Sequence, residues 1–360
     1  MERAIAELGS EPGLVLVFLA GDLEPEAVAA ETREAAAGAL VAGMTGTAAI
    51  GADGVVEAGC SAIAFSASVP AGVGTAEGAD GRKSGREATS RAMAAIDGVP
   101  HGIVLLLVDS ESGDQAEIVA GAYAVAGGRI PLAGGAAGGP ARARFADGRA
   151  LSDGVVAVAV GSTTPIGVGV AHGCVPRRIP SIVTRSEGPR VIQLDGRPAQ
   201  DVYLETLGVD AVADDEFEVL AMIHPLAEPE LSGSVRPRYV RGRDGDGALL
   251  CATSIERNAA VEVCDQTPDT VVESAREAVA DAVSQLERPV GAALVFDCAA
   301  RSAWFGTPLA ERELEAVLDA FGEPAPGLAG AYTRGEIGRA RGAKGDRNHS
   351  VVVAAFGTLD

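Results

Sequence analysis

The chain alternates short, nearly all-apolar runs with longer stretches in which apolar residues recur every three or four positions. The first pattern belongs to strands buried on both faces, the second to helices with one covered side. Residues 14–20, 60–68, 102–108, 154–161 and 166–171 therefore read as strands, and 25–39, 84–96 and 114–126 as helices. Asp22 and Glu24 precede the helix at 25 and Pro25 opens it, which suits the positive end of the dipole and the unpaired first N–H groups. In the second half, 218–223, 238–241, 248–255, 260–264, 291–296 and 350–356 read as strands. Helices follow at 268–286, started by Thr267, and at 309–321. This alternation predicts an α/β fold, with a mixed α+β layout as its variant.

Part of the pattern is duplicated. Leu132-Ala133-Gly134 leads to the strand at 155–161, and Leu328-Ala329-Gly330 leads to the one at 351–357, with the same offset of 27 residues from Gly134 to Gly161 and from Gly330 to Gly357. Before each comes a strand followed by an acid, Asp109 or Asp297, then a loop and a helix. The repeat predicts two related domains, each a mixed sheet flanked by helices. The run 198–235 has nine acids and no Lys or Arg, the mark of a solvated surface or linker. It places the seam between domains of 1–205 and 206–360.

Composition narrows the partners. The 360 residues carry a net charge of −21, which opposes binding to nucleic acid or an anionic membrane surface. Apolar runs are far shorter than the ~20 residues of a membrane helix, and the acidic start lacks the basic and apolar regions of a leader. The expected setting is cytoplasmic. Five cysteines without a C-x-x-C pair predict neither a disulfide framework nor structural zinc. Glycine, at 47 residues, is abundant enough to shape the backbone throughout.

Candidate chemistry collects at strand ends. There is no G-x-S-x-G, H-E-x-x-H or phosphate-loop motif, and no Gly fingerprint for a dinucleotide. The segment 295–301 delivers Cys298 and Arg301 three residues apart; such an Arg grips a carboxylate and lowers the thiol's pKa, or else pairs with a carboxylate of the core. Arg334, Gly335 and Glu336 sit in a Gly-rich loop, as ligand contacts or as a local surface ion pair. Thr45 and Gly46, with Thr47, offer hydroxyls and backbone N–H groups, and so does the backbone of Gly134 and Gly135; an ordinary tight connection is the alternative. Arg142, Arg144 and Arg149, then Arg339, Arg341, Lys344 and Arg347, form local basic clusters able to focus an anion.

These segments resemble the FIST family, a sensory module with paired FIST N and FIST C domains. The resemblance rests on 43–46, 131–138, His172-Gly173 with Pro176, 183–184 and 194–199, then on Tyr239-Val240-Arg241, 296–301, 330–338 and Asn348-His349. It implies an intracellular signal-transduction unit that binds a small ligand, with amino acids the usual proposal, and it does not imply established catalysis. These 360 residues contain no kinase, cyclase, methyl-accepting or F-box segment, so a stand-alone sensor whose output passes to a separate signalling protein is expected. The leading expectation is a sensor that takes an amino acid or other small anionic metabolite, with Arg301 and Arg334 on the anion and Glu336 on an ammonium group or orienting an Arg. Cys298, Thr45 and the backbone of Gly134 and Gly135 would complete the walls, and no cofactor is expected. Alternatives are a haem-dependent gas sensor with His349 or His172 as axial ligand, an enzyme with Cys298 as nucleophile and His349 as base, and a ligand-free scaffold.

Overall fold

The computed structural model describes residues 2–36, 38–109, 114–151, 153–230, 233–339 and 344–358. Helix α1 (Glu2–Leu8) leads into β1 (Pro12–Ala20), α2 (Pro25–Ala35), β2 (Leu40–Thr45), the hairpin β3 (Ala49–Gly51) and β4 (Gly54–Val56), and β5 (Gly59–Ser66). The order then recurs as β6 (Ala71–Ala76), α3 (Gly81–Met93), β7 (His101–Val108), α4 (Gln115–Ala126), β8 (Leu132–Ala136), the hairpin β9 (Arg144–Ala146) and β10 (Arg149–Leu151), and β11 (Val155–Ser162). A further copy opens with β12 (Ile166–Ala171) and is interrupted by an inserted module. The module comprises β13 (Val175–Glu187), β14 (Arg190–Leu194), β15 (Arg197–Pro198), α5 (Ala199–Leu207), α6 (Asp214–Ile223), β16 (Leu226–Pro229), β17 (Val235–Arg238), β18 (Val240–Arg243), β19 (Leu249–Cys251) and β20 (Ala260–Asp265). The copy resumes with α7 (Pro268–Ser284), β21 (Val290–Cys298), α8 (Ala299–Phe305), α9 (Thr307–Phe321), β22 (Gly327–Thr333), the hairpin β23 (Glu336–Arg339) and β24 (Asp346–Arg347), and β25 (Val351–Gly357).

The fold is α/β, and the duplication read from the sequence is present and extends to a third, shorter copy. In each copy a central strand pairs in parallel with the next strand and antiparallel with the last: β1 with β2 and β5, β7 with β8 and β11, β21 with β22 and β25. Each intervening hairpin leaves its own sheet and joins a neighbour's. The β3–β4 hairpin extends the sheet of β22, β9–β10 that of β2, and β23–β24 that of β8. Three sheets are thus laced in a ring. Backbone bonds close it: the Thr47 N–H donates to Tyr332 O, Arg334 to Ala136 O and Gly138 to Thr45 O, at 3.0, 3.0 and 2.9 Å. The inner faces share one core, in which Phe18 meets Phe296 edge to face at 5.7 Å.

Glycine abundance follows from this architecture. Gly43, Gly134 and Gly330 occupy the same register in β2, β8 and β22, and a Cβ there would lie 2.0, 2.1 and 1.9 Å from the carbonyl oxygens of Val17, Leu106 and Val295. The segments read as Gly-rich loops at 43–47, 134–139 and 330–338 are therefore largely buried strand ends.

The run 198–235 is not a linker. It forms α5, α6 and β16 of the module, around a core that includes Tyr203 and Phe217. Residues 218–223, expected as a strand, belong to helix α6. Asp214, Asp215 and Glu216 favour its positive end, Glu216 accepts from the Ala213 N–H at 3.1 Å, and the buried pair Phe217 and Ala221 has helical spacing. Arg236 and Arg238 bind the module to the body: both donate to Glu228 within the module and to Asp346 in the β23–β24 hairpin, all four largely buried.

Candidate functional site

At the carboxyl ends of β21 and β22 a cleft of about 750 Å³ opens between body and module. Ends of strands, where the chain must leave the sheet, are where α/β proteins expose backbone and side chains to ligands. Cys298, Ala299 and Ala300 form the floor, with Arg334 and Gly335 on the β22–β23 turn. Thr47 and Glu57 come from the first copy, Tyr239 and Arg241 from the module. Arg241 and Arg334 are exposed, and neither guanidinium has a hydrogen bond or ion pair to a described residue. Glu57 accepts from the Thr307 hydroxyl at 2.9 Å through one carboxylate oxygen and lines the cleft wall.

Beneath the floor lies a polar network. Arg301 is 1% exposed; it pairs with Glu313, lies 3.4 Å from Asp297 Oδ1 and donates to Val271 O at 3.1 Å. It braces β21 against α7 and α9 and does not line the cleft. Glu336 is fully buried, accepting from the Thr333 hydroxyl and the Ser350 N–H, both at 3.1 Å. It makes no surface pair with Arg334. His349 is fully buried against Tyr239, its ring Nδ1 3.0 Å from Gln266 Oε1. Gln266 uses its amide nitrogen on His172 O, so its oxygen accepts and the His349 proton is assigned to Nδ1.

Of the residues singled out by the sequence, Thr47, Cys298, Arg334 and Gly335 reach the cleft. Thr45 does not: its hydroxyl donates to Gly138 O at 2.7 Å and accepts from the Ala143 N–H. Gly46 is pressed against Tyr332 O, Gly134 against Leu106 and Gly135 against Thr333. Three residues of the basic clusters are tethers as well. Arg144 is buried near Asp109, Arg339 donates to Gly127 O and Ile130 O and lies over Tyr123, and Arg347 pairs with Glu230. Arg341 falls outside the described residues. Tyr239, Arg241 and Asn348 were visible only as parts of the resemblance, and Glu57 carried no signal at all.

Burial pushes the Cys298 thiol well above its ordinary range, so it is not poised as a thiolate. Burial raises Glu336 to about 8 and is only partly offset by its two hydrogen bonds; Glu313 is raised likewise despite Arg301. Burial, then the Arg301 charge, lowers His349 to about 3 and His172 to about 4. The linkage has opposite signs. The two glutamates bind protons more tightly folded than unfolded, so their contribution falls as pH rises from about 4.5 to 8. The histidines lose stability only as pH drops below 6.5. Between pH 6.5 and 8 the histidines no longer contribute, and the raised buried carboxyls, Asp297 beside Glu313 among them, set the trend. The unfolding free energy from urea titrations is expected to fall across that interval by up to roughly 1.4 kcal/mol per pH unit for each carboxyl. Glu336→Gln should flatten the slope; an unchanged slope would remove Glu336 as its source.

Together these elements define a laced α/β scaffold whose body and mounted module share a cleft at strand ends. A family model described as the FIST N domain matches residues 13–197, and one described as the FIST C domain matches residues 199–339. The chain belongs to the FIST family, whose domains are sensory signal-transduction domains. No curated protein matches it. No helix among the described residues is long and apolar enough to cross a membrane.

Proposed function

We propose that the cleft binds a small metabolite carrying a carboxylate, an amino acid being the best fit, and that occupancy is the sensed signal. The observation behind this reading is the pair of unpartnered guanidinium groups, Arg241 on the module and Arg334 on the body, lining one cleft. A carboxylate between them gains charge-assisted hydrogen bonds, while Glu57 on the wall suits an ammonium group. Arg334 takes the anion role, and Arg301, expected beside it, supports the floor from below. Because the two arginines stand on different bodies, a ligand that touches both favours one setting of module against body over others. That differential affinity is what a signal requires, and its reader would be a separate signalling protein.

Titration calorimetry against the amino acids and small dicarboxylates tests this. A ligand should emerge whose affinity falls about tenfold or more in Arg334→Ala and in Arg241→Ala, the range for loss of one charged hydrogen bond. Glu57→Gln should weaken amino acids and spare dicarboxylates. No heat across the panel, or parental affinity in both arginine variants, would end this reading. A Soret band in protein produced with haem would transfer the sensing role to that group.

A further inference from the structure

In the second and third copies the last strand carries one more antiparallel strand on its outer edge: β6 on β11 and β12 on β25. In the first copy β5 ends its sheet. The registers of the filled edges coincide. Ala157 and Ala159 face Gly74 and Gly72, while Val353 and Ala355 face Gly169 and Gly167. Both strands need these glycines because a helix presses on them. A Cβ at Gly72 or Gly74 would lie 2.3 or 2.2 Å from a carbonyl oxygen of α3, and at Gly167 or Gly169 1.9 or 1.8 Å from one of α7. Through the central-strand pairs Val17–Ala62, Leu106–Ala157 and Val295–Val353, the matching positions on β5 are Ala62 and Ala64.

The first copy keeps the place, and among the described residues no strand fills it. Helix α1 packs on β5 but buries none of its side chains. Cys60, Ala62 and Ala64 are half-buried, whereas their counterparts Val155, Ala157 and Ala159 in β11 are fully buried. A slot of about 590 Å³ remains, between α1 on one side and the β3–β4 turn on the other, with β5 along it. An unpaired strand edge is a template for another strand.

We propose that this slot receives one extended segment of a partner protein, antiparallel to β5, with glycine at two alternating positions opposite Ala62 and Ala64. Strand addition supplies the main-chain hydrogen bonds, and the close helix selects glycine. The edge of a second folded copy suits the slot less well, because walls stand on both sides and Arg3 of α1 ion-pairs with Asp53 across its mouth. The partner motif is therefore small-Gly-x-Gly-small in a flexible segment, as in Ala71-Gly72-Val73-Gly74-Thr75-Ala76.

The test uses the full chain and a fluorescent peptide with the sequence of residues 69–77. Saturable one-to-one binding is expected by polarisation. It should weaken about tenfold or more when both peptide glycines are replaced by valine, as overpacking under a helix implies. The protein variant Ala62→Glu, at a half-exposed edge position, should produce a similar loss. Equal binding of the glycine and valine peptides, or no binding at any soluble concentration, would overturn the proposal. So would a dimer in native mass spectrometry that Ala62→Glu dissociates, which would make a second copy the occupant.

Discussion

Arg301→Ala is expected to lower the unfolding free energy by about 3–5 kcal/mol, the range for breaking a buried ion pair from one side. The variant would leave Glu313 and Asp297 facing each other in a site closed to water, both within 2% exposure. Their carboxyls, already raised by burial, would lose the one charge that lowers them. They would respond by holding protons more tightly, so the loss should be smaller at pH 5 than at pH 8. Joint replacement, Arg301→Met with Glu313→Leu, removes the orphaned partner and should recover most of the stability. Urea unfolding of the three proteins at the two pH values measures this. A ligand-gripping Arg301 predicts the reverse: nearly wild-type stability with lost affinity.

That contrast shows where the sequence was readable and where it was not. Runs such as Leu14-Val15-Leu16-Val17 and the heavily apolar 268–286 segment disclosed strands and helices, because burial on two faces or one leaves a period in the sequence. Helix α6 was misread, since Phe217, Val219 and Ala221 alternate as a strand would while Phe217 and Ala221 alone carry the helical contact. The third copy was hidden by length. From Gly43 to Ser66 is 23 residues, whereas its counterparts span 27, so a fixed offset finds two copies and passes over the first. At the site, Cys298 and Arg334 were legible as residues at strand ends. Arg301 was a correct observation with the wrong orientation: position i+3 from Cys298 in α8 turns it under the floor, and orientation is not written in spacing. Glu57 and Arg241 reach the cleft only because a hairpin crosses to a neighbouring sheet and a module is inserted, both facts of tertiary assembly.

The strongest test of that assembly is the trio Gly43, Gly134 and Gly330. Each lies where the parallel partner strand passes the central strand, and an added methyl carbon would sit 1.9–2.1 Å from a main-chain oxygen. Neither atom is on a flexible side chain, so the clash can be relieved only by prising β2 from β1, β8 from β7 or β22 from β21. That would cost the upper end of the ~1–3 kcal/mol seen for overpacked cores, or more. Alanine at each position should therefore lower stability by about 3 kcal/mol or abolish folding. Gly134, at φ +132°, adds backbone strain to the clash. Gly242 has nothing within 4 Å of its added Cβ, and Gly242→Ala should stay within about 0.5 kcal/mol of the parent. The three core positions should behave alike although their neighbours differ, because it is the repeated strand pairing that imposes them. Gly330→Ala carries a second consequence. Moving β22 from β21 displaces the turn bearing Arg334 from the floor at Cys298, so any folded fraction should also bind ligand weakly, whereas folded Gly43→Ala should not share that defect to the same degree. A Gly330→Ala protein with ordinary stability would mean that β21 and β22 do not approach as closely as the ring of three sheets demands.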